Sequence, residues 1–349
     1  LKTSFSKSLL DIASIKKDFL DENDKHLKYC REVSKKYNLQ KKRSLCKNCE
    51  SSLNKDNDFI NHGTKYKICN ICGHVNGERE DAIEFTKWLY KDDGGSNYST
   101  HYLESYRERV TNIYLPKVKY LRDSLDKLCN LKDFSILDIG CGGGHFVYSS
   151  NMIGIKARGV DISDQLIKLA SEFWKLSKKF NAKPPFSCIS SEDEIINEII
   201  NSKAEVISLI GVLEHLMSPN DALRAFAKSN SQYLFFAVPL FSLATFIENT
   251  NKNTFPRHLS GGHTHLYTHE SIDHFCKKFG FKKVSQWHFG MDAMDLRRAL
   301  IIETTKNGTS ETARKLLEEK IFSPIIMNEI QEVLDKNLGG SDVHMLIKK

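Results

Sequence analysis

From about residue 133 onward, short apolar runs alternate with longer stretches in which apolar side chains recur at every third or fourth position. The short runs predict strands over 135–139, 156–160, 186–190, 205–210 and 232–238, and the periodic stretches between them predict helices over 144–152, 163–180, 192–201 and 218–229. Each helix is long enough to carry the chain back to a parallel neighbour, so the pattern predicts an α/β sheet covered by helices on both faces. Past Pro239 the pattern loosens into a long loop. It then predicts a helix over 270–279, a strand over 281–289, helices over 292–304 and 310–336, and a last strand over 343–349.

Three segments precede this core. Over 1–43, Leu9, Ile12, Ile15 and Phe19, then Cys30, Val33 and Tyr37, follow a helical period and predict an amphipathic helical arm. Residues 44–83 are polar and punctuated by Cys and Gly. Residues 84–132 hold Trp88, Tyr90, Tyr98, Tyr102, Tyr106 and Tyr114 and lead into a helical run over 118–131, which predicts an aromatic linker or cap ahead of a core over 133–349.

Composition narrows the class without naming a function. With 349 residues, 40% of them hydrophobic and 27% charged, the chain is neither disordered nor fibrous. No apolar run approaches the roughly 18 residues that span a bilayer. The nine Cys in a chain of this length, with no apolar leader, point to a reducing cytoplasm rather than to a disulfide scaffold. The net charge of +7 is concentrated at the start, since residues 1–43 hold 12 Lys or Arg against 6 Asp or Glu. A nucleic-acid reading therefore attaches to the arm alone, and a solvated helix face explains the same charges.

Cys46, Cys49, Cys69 and Cys72 form two C-x-x-C pairs with nineteen residues between them. Two intervening residues let each pair turn both thiolates toward one ion, so the spacing predicts a structural Zn²⁺ bound by four sulfurs. A redox dithiol would need no matching second pair.

The segment 134–146 reads FSILDIGCGGGHF, an apolar strand, then Asp138, then Gly140, Cys141 and Gly142 opening a helix. The dinucleotide fingerprint wants Gly where His145 stands, and an acid at 138 would repel a pyrophosphate. Asp161, followed by Ile162, ends the next strand, where an acid can accept hydrogen bonds from both hydroxyls of a ribose. A nucleoside carrying a cationic group fits this set, and that cofactor is S-adenosylmethionine. These residues resemble the class I S-adenosylmethionine-dependent methyltransferases over about 135–289. VISLIGVLEHL at 206–216 resembles the fourth-strand motif of the subgroup ending in Leu-Glu-His. The resemblance implies a Rossmann-like seven-stranded sheet with an antiparallel last hairpin, Asp161 as the ribose-binding acid, and an adenine contact after the third strand. Many members place Asp there, whereas this chain offers Ser191 or Glu192. The order of segments is also similar to bacterial sugar-modifying methyltransferases with an amino-terminal zinc module.

Groups that act on the methyl acceptor are expected on loops after the fourth and fifth strands. Glu214 and His215 follow the fourth, and RHLSGGHTHLYTH at 257–269 follows the fifth. His263 and His265 are the candidate bases, since His exchanges protons near neutral pH. Two His at this spacing could also hold a metal, but no carboxylate lies near them in the sequence. The reading is methyl transfer to a small polar acceptor, foremost a hydroxyl of a sugar, nucleotide sugar or glycan precursor. RNA methylation through the zinc module and arm, and a non-catalytic cofactor-binding scaffold, are the alternatives. Residues 44–83 hold 5 basic against 6 acidic side chains, which weakens the RNA reading. Oligomeric state leaves no mark on the sequence.

Overall fold

The computed structural model describes residues 1–9, 20–89, 105–177, 179–180, 182–259 and 263–349. Its strands are β1 (Lys2–Phe5), β2 (Phe59–Asn61), β3 (Thr64–Ile68), β4 (Val75–Gly77), β5 (Ser135–Ile139), β6 (Lys156–Asp161), β7 (Phe186–Cys188), β8 (Val206–Ile210), β9 (Tyr233–Pro239), β10 (His265–Leu266), β11 (Lys282–Phe289) and β12 (Asp342–Lys348). Its main helices are α1 (Asn23–Asn38), α2 (Ile83–Lys87), α3 (Leu115–Cys129), α4 (His145–Met152), α5 (Asp164–Leu176), α6 (Glu192–Ile200), α7 (Pro219–Lys228), α8 (Leu243–Thr250), α9 (His269–Phe279), α10 (Asp292–Lys306), α11 (Glu311–Leu316) and α12 (Pro324–Lys336). A π-helical stretch, Arg109–Tyr114, runs directly into α3.

The main sheet has the order β1-β11-β12-β9-β8-β5-β6-β7. Strands β5 to β9 pair in parallel, and β12 is antiparallel to both of its neighbours. Successive side chains on a strand point to opposite faces, and the core divides accordingly. Leu137, Ile207, Leu234 and Phe236 pack under α6, α7 and α9, whereas Ile136, Val206 and Phe235 pack under α3 and α4. Because both faces are covered, the strands read as apolar runs rather than as alternating ones. The reversed β11–β12 hairpin is the one expected.

Three expectations are corrected. Among the described residues the sheet has eight strands rather than seven, because Lys2–Phe5 lies parallel to β11 where a helical arm is expected from the first residues. Four residues are too few to show a period of two, and the free edge of β11 supplies their partners. The helix expected over 310–336 is interrupted, with a π-helical turn at Leu317–Ile321 and a fresh start at Pro324. Proline has no N–H and clashes with the preceding turn, so it sits at the first position of α12. The loop expected after Pro239 contains α8, whose start is capped by Ser242. Of the residues in the predicted arm and linker, Ile12, Ile15, Phe19, Tyr90, Tyr98 and Tyr102 lie outside the described residues.

The Cys-bearing segment forms a second sheet, β10-β4-β3-β2. Its last member, β10, comes from the loop after β9, so the small sheet is completed by the core. Helix α1 buries Leu27, Cys30, Val33 and Tyr37 against this region, and the Tyr37 hydroxyl donates to the Arg79 carbonyl at 2.6 Å. Among the described residues no helix is long and apolar enough to cross a membrane.

Candidate functional site

At the carboxyl ends of β5 and β8 the chain leaves a cavity of about 110 Å³, lined among others by Tyr114, Asp138, Gly140, Cys141, Gly142, Ile210 and Gly211. This is where ligands of open α/β sheets gather, at the point where strand order reverses. Gly142 has φ +51°, and a side chain there would meet nothing within 4 Å among the described residues, so the loop leaves open space at this residue. Gly144 has φ +75° and begins α4, and its missing Cβ leaves room for the Phe186 ring and Ala170.

Asp138 is buried and accepts a 2.6 Å hydrogen bond from the Ser208 hydroxyl, its partner in the β5–β8 register. Burial pushes its carboxyl up to about 7, with the neighbouring Asp161 adding to the effect and Ser208 and Lys117 opposing it. Asp161 accepts from the Gly142 and Ser163 amides, each at 2.8 Å. Burial raises its pKa, and these backbone donors oppose the rise. Each carboxylate oxygen has a second lone pair, so Asp161 can hold the glycine loop and still accept from a ligand. Ile162, next in the chain, packs against the core. Ser191 caps α6 by accepting from the Glu194 amide. The Glu192 carboxylate accepts from the Met217 and Ser218 amides at 3.0 Å each, so it fastens the loop after β8.

The loop after β8 also brings a second group together. Glu214, His215 and His263 place one ligand atom each within 4.8 Å of one another. Glu214 is buried, its Oε2 has no hydrogen-bond partner among the described residues, and burial pushes its carboxyl up to about 8. The other oxygen, Oε1, lies beside Gly211, which lines the cavity. The His263 Nδ1 is 2.6 Å from the His258 carbonyl oxygen, so Nδ1 carries the proton and Nε2 keeps its lone pair. Burial lowers the His263 pKa to about 4, leaving a neutral imidazole.

The two candidate histidines part company here. His265 is fully buried in β10, with Nδ1 2.8 Å from Nε2 of His74, and serves the contact between the Cys-bearing sheet and the core. Ser260, Gly261 and Gly262, beside His263 in sequence, lie outside the described residues.

Sequence reasoning missed Asp81 and Lys117. Asp81, with Phe85, Thr86 and Leu89, lines a small recess next to Glu214, His215 and Thr264. The Lys47 ammonium is 2.6 Å from Asp81 and the Arg43 guanidinium 3.0 Å. Burial pushes the Asp81 carboxyl up, but these two cations outweigh it and hold it below its ordinary value. Lys117 is buried, and burial brings it down to about 8 against the charges of Asp342, Asp138 and Glu214. On a helix with lysines at 117, 119 and 127 nothing in the sequence distinguishes this one. Of the linker aromatics, Tyr106 stacks on His145 and Phe173 at 4.1 and 3.8 Å, and Tyr114 stacks on His145 at 5.0 Å.

The four Cys also meet. The Cys46 and Cys72 sulfurs are 3.7 Å apart and those of Cys49 and Cys69 3.5 Å, with all four within 4.8 Å. The edge of a zinc–sulfur tetrahedron with bonds of about 2.3 Å is about 3.8 Å, so the donor set fits such an ion. The knuckles are docked on the core, since Asn48 donates to the Ser271 carbonyl at 2.8 Å and Asn220 to the Asn48 carbonyl at 2.9 Å.

A family profile described as a methyltransferase domain matches residues 106–286, more than half of the chain. The ubiquinone biosynthesis O-methyltransferase of Hydrogenovibrio crunogenus is 26% identical over 159 residues, which covers 43% of this chain and 63% of that protein. The mitochondrial ubiquinone biosynthesis O-methyltransferase of Saccharomyces cerevisiae is 27% identical over 117 residues, covering 32% of this chain and 34% of that protein. The chain thus matches less than two thirds of the length of either relative. Magnesium protoporphyrin IX methyltransferase from Synechocystis PCC 6803, solved with bound SAH, has a TM-score of 0.50 at 12% identity, covering 77% of this chain and 100% of that one, a likeness of fold alone. With the glycine-loop cavity at the strand ends and this profile spanning it, the chain belongs to the methyltransferase-domain family.

Proposed function

We propose that the protein transfers a methyl group to a hydroxyl of a small polar molecule. The observation that carries this reading is the meeting of Glu214, His215 and His263 beside Gly211, at one edge of the glycine-loop cavity. The cofactor supplies a methyl group activated on a sulfonium. Asp138 contributes negative charge at the cavity, Asp161 has lone pairs for ribose hydroxyls, and the Gly142 position leaves the cofactor room. Ser191 and Glu192 remain the nearest candidates after β7 for the adenine, although both already bind backbone amides.

At the acceptor end, the neutral His263 presents its Nε2 lone pair, held in place because Nδ1–H donates to His258. That atom can take the proton of an attacking hydroxyl, and His215 and Glu214 orient the oxygen. Asp81 and the α2 side chains form the opposite wall of the recess. The two curated relatives are named as O-methyltransferases, which favours a hydroxyl over a carbon or nitrogen acceptor. We retain sugars and nucleotide sugars as the narrower class, and we assign a structural Zn²⁺ to Cys46, Cys49, Cys69 and Cys72 as the staple of a module over 44–83.

Transfer of labelled methyl from S-adenosylmethionine to a panel of sugars, nucleotide sugars, phenols and RNA tests the reading. Label in a hydroxyl-bearing small molecule, lost in His263→Ala, is expected. Label in RNA alone would replace it with the nucleic-acid reading.

A further inference from the structure

The sequence shows no carboxylate near the histidines of the loop after β9. Folding supplies one from the loop after β8, and it pairs His263 with His215 rather than with His265. The resulting set is two imidazoles and one carboxylate, drawn from two loops that the main sheet brings together.

Three features of this set are those of a ligand shell. The donor atoms lie within 4.8 Å of one another, whereas nitrogens and oxygens on one ion with bonds of about 2.1 Å stand roughly 3–4 Å apart, so a small inward turn of each side chain closes the set. His263 gives its Nδ1 proton to a backbone carbonyl, the second bond that fixes the tautomer and aims Nε2 in metal-ligating histidines. Glu214 is buried and, among the described residues, its Oε2 faces no hydrogen-bond partner, a costly arrangement that a bound cation would relieve. The recess beside it, reaching to Asp81, has a volume of about 10 Å³, room for about one water-sized oxygen ligand.

We propose that Glu214, His215 and His263 bind one divalent cation, distinct from any ion held by the four cysteines, with open positions that face the methyl acceptor. Mixed imidazole and carboxylate donors accept Mn²⁺ and Zn²⁺ alike, whereas the thiolate set selects Zn²⁺. The ion sits at the acceptor end assigned above; with the His263 lone pair engaged on it, that ring no longer serves as the base, and the ion would instead hold the acceptor hydroxyl and lower its pKa so that solvent can take the proton. Its binding can be measured with neither cofactor nor acceptor present.

The full chain, loaded with one equivalent of Zn²⁺, is titrated with Mn²⁺ while free Mn²⁺ is followed by electron paramagnetic resonance. Total zinc is counted in parallel samples given excess Zn²⁺ and desalted. The expected result is one bound Mn²⁺ per chain, or a second zinc. Glu214→Gln, a near-isosteric change, weakens this binding at least tenfold, His263→Ala does the same, and Cys46→Ser leaves it in place. Zinc at one per chain with no bound Mn²⁺ would overturn the proposal, as would second-ion binding unchanged in both Glu214→Gln and His263→Ala. Methyl transfer is scored separately: a filled site with no transfer to any hydroxyl counts against the proposed function and leaves the cation site standing.

Discussion

Two glycines of the same loop predict opposite outcomes when given a methyl group. Both Gly142 and Gly144 hold positive φ, so an alanine at either position pays about 1–2 kcal/mol for the left-handed backbone. At Gly144 the added Cβ would also stand 2.7 Å from the Phe186 ring and 2.8 Å from the Ala170 Cβ. The Ala170 Cβ on α5 has no rotamer by which to withdraw and the Phe186 ring packs against the core, so overpacking here costs roughly 1–3 kcal/mol more. Gly144→Ala should therefore lose about 2–5 kcal/mol of stability, and Gly142→Ala only about 1–2 kcal/mol. At Gly142 the methyl meets nothing within 4 Å among the described residues, and since Gly142 lines the cavity, it would intrude on the cofactor proposed there. Urea unfolding and S-adenosylmethionine calorimetry on both variants separate the two effects. Gly142→Ala should weaken cofactor binding about tenfold or more, equivalent to about 1.4 kcal/mol, while remaining the more stable variant. Equal destabilisation of the two, or full cofactor affinity in Gly142→Ala, would refute the reasoning.

Cofactor affinity should depend on pH through Asp138, whose carboxyl burial holds at about 7. A cationic ligand favours the ionised form, so binding releases a proton below that value; affinity falls by up to tenfold per unit as pH drops below about 7 and levels off above it, as calorimetry in buffers of differing ionisation enthalpy will read. The two histidines should separate in kinetics. His263→Ala is expected to lower kcat by about a hundredfold or more, whereas His265→Ala orphans the His74 ring, costs about 1–3 kcal/mol of stability and leaves kcat within a few-fold. Removing metal from the four cysteines with a chelator should abolish hydrogen-exchange protection in β4 and β10 together, because β10 completes the Cys-bearing sheet; protection that survives would show that the sheet needs no ion.

The core was legible because its physics is local. Runs such as 135–139 and 206–210, too short for helices, rich in Ile, Leu and Val and followed by glycine, read as buried strands, and the glycine cluster after Asp138 marks a tight turn into a helix. Asp138, Gly140, Cys141 and Gly142 accordingly line one cavity, and the paired Cys spacing brought four sulfurs to one point. What sequence spacing hides is tertiary. Glu214 and His263 are 49 positions apart and meet only because the loops after β8 and β9 share one end of the sheet. His263 and His265 look equivalent as letters, yet one Nδ1 faces a carbonyl and the other a buried imidazole. Lys2–Phe5 has no periodic signal, and β11 confers its structure. Five of the 12 basic residues of 1–43 lie on the exposed side of α1, whose apolar face is docked, so their charge describes a solvated surface and not the acceptor.

The central claim is that the cavity at the glycine loop holds S-adenosylmethionine, with the buried Asp138 supplying the charge that favours it. Equilibrium titration of the full chain with S-adenosylmethionine, beside Asp138→Asn, tests it most directly, because the near-isosteric amide can still accept from Ser208 through its oxygen while the negative charge is removed. One cofactor per chain, bound at least tenfold more weakly by Asp138→Asn, is the predicted result; no binding to the wild type, or equal affinity in both proteins, would contradict it.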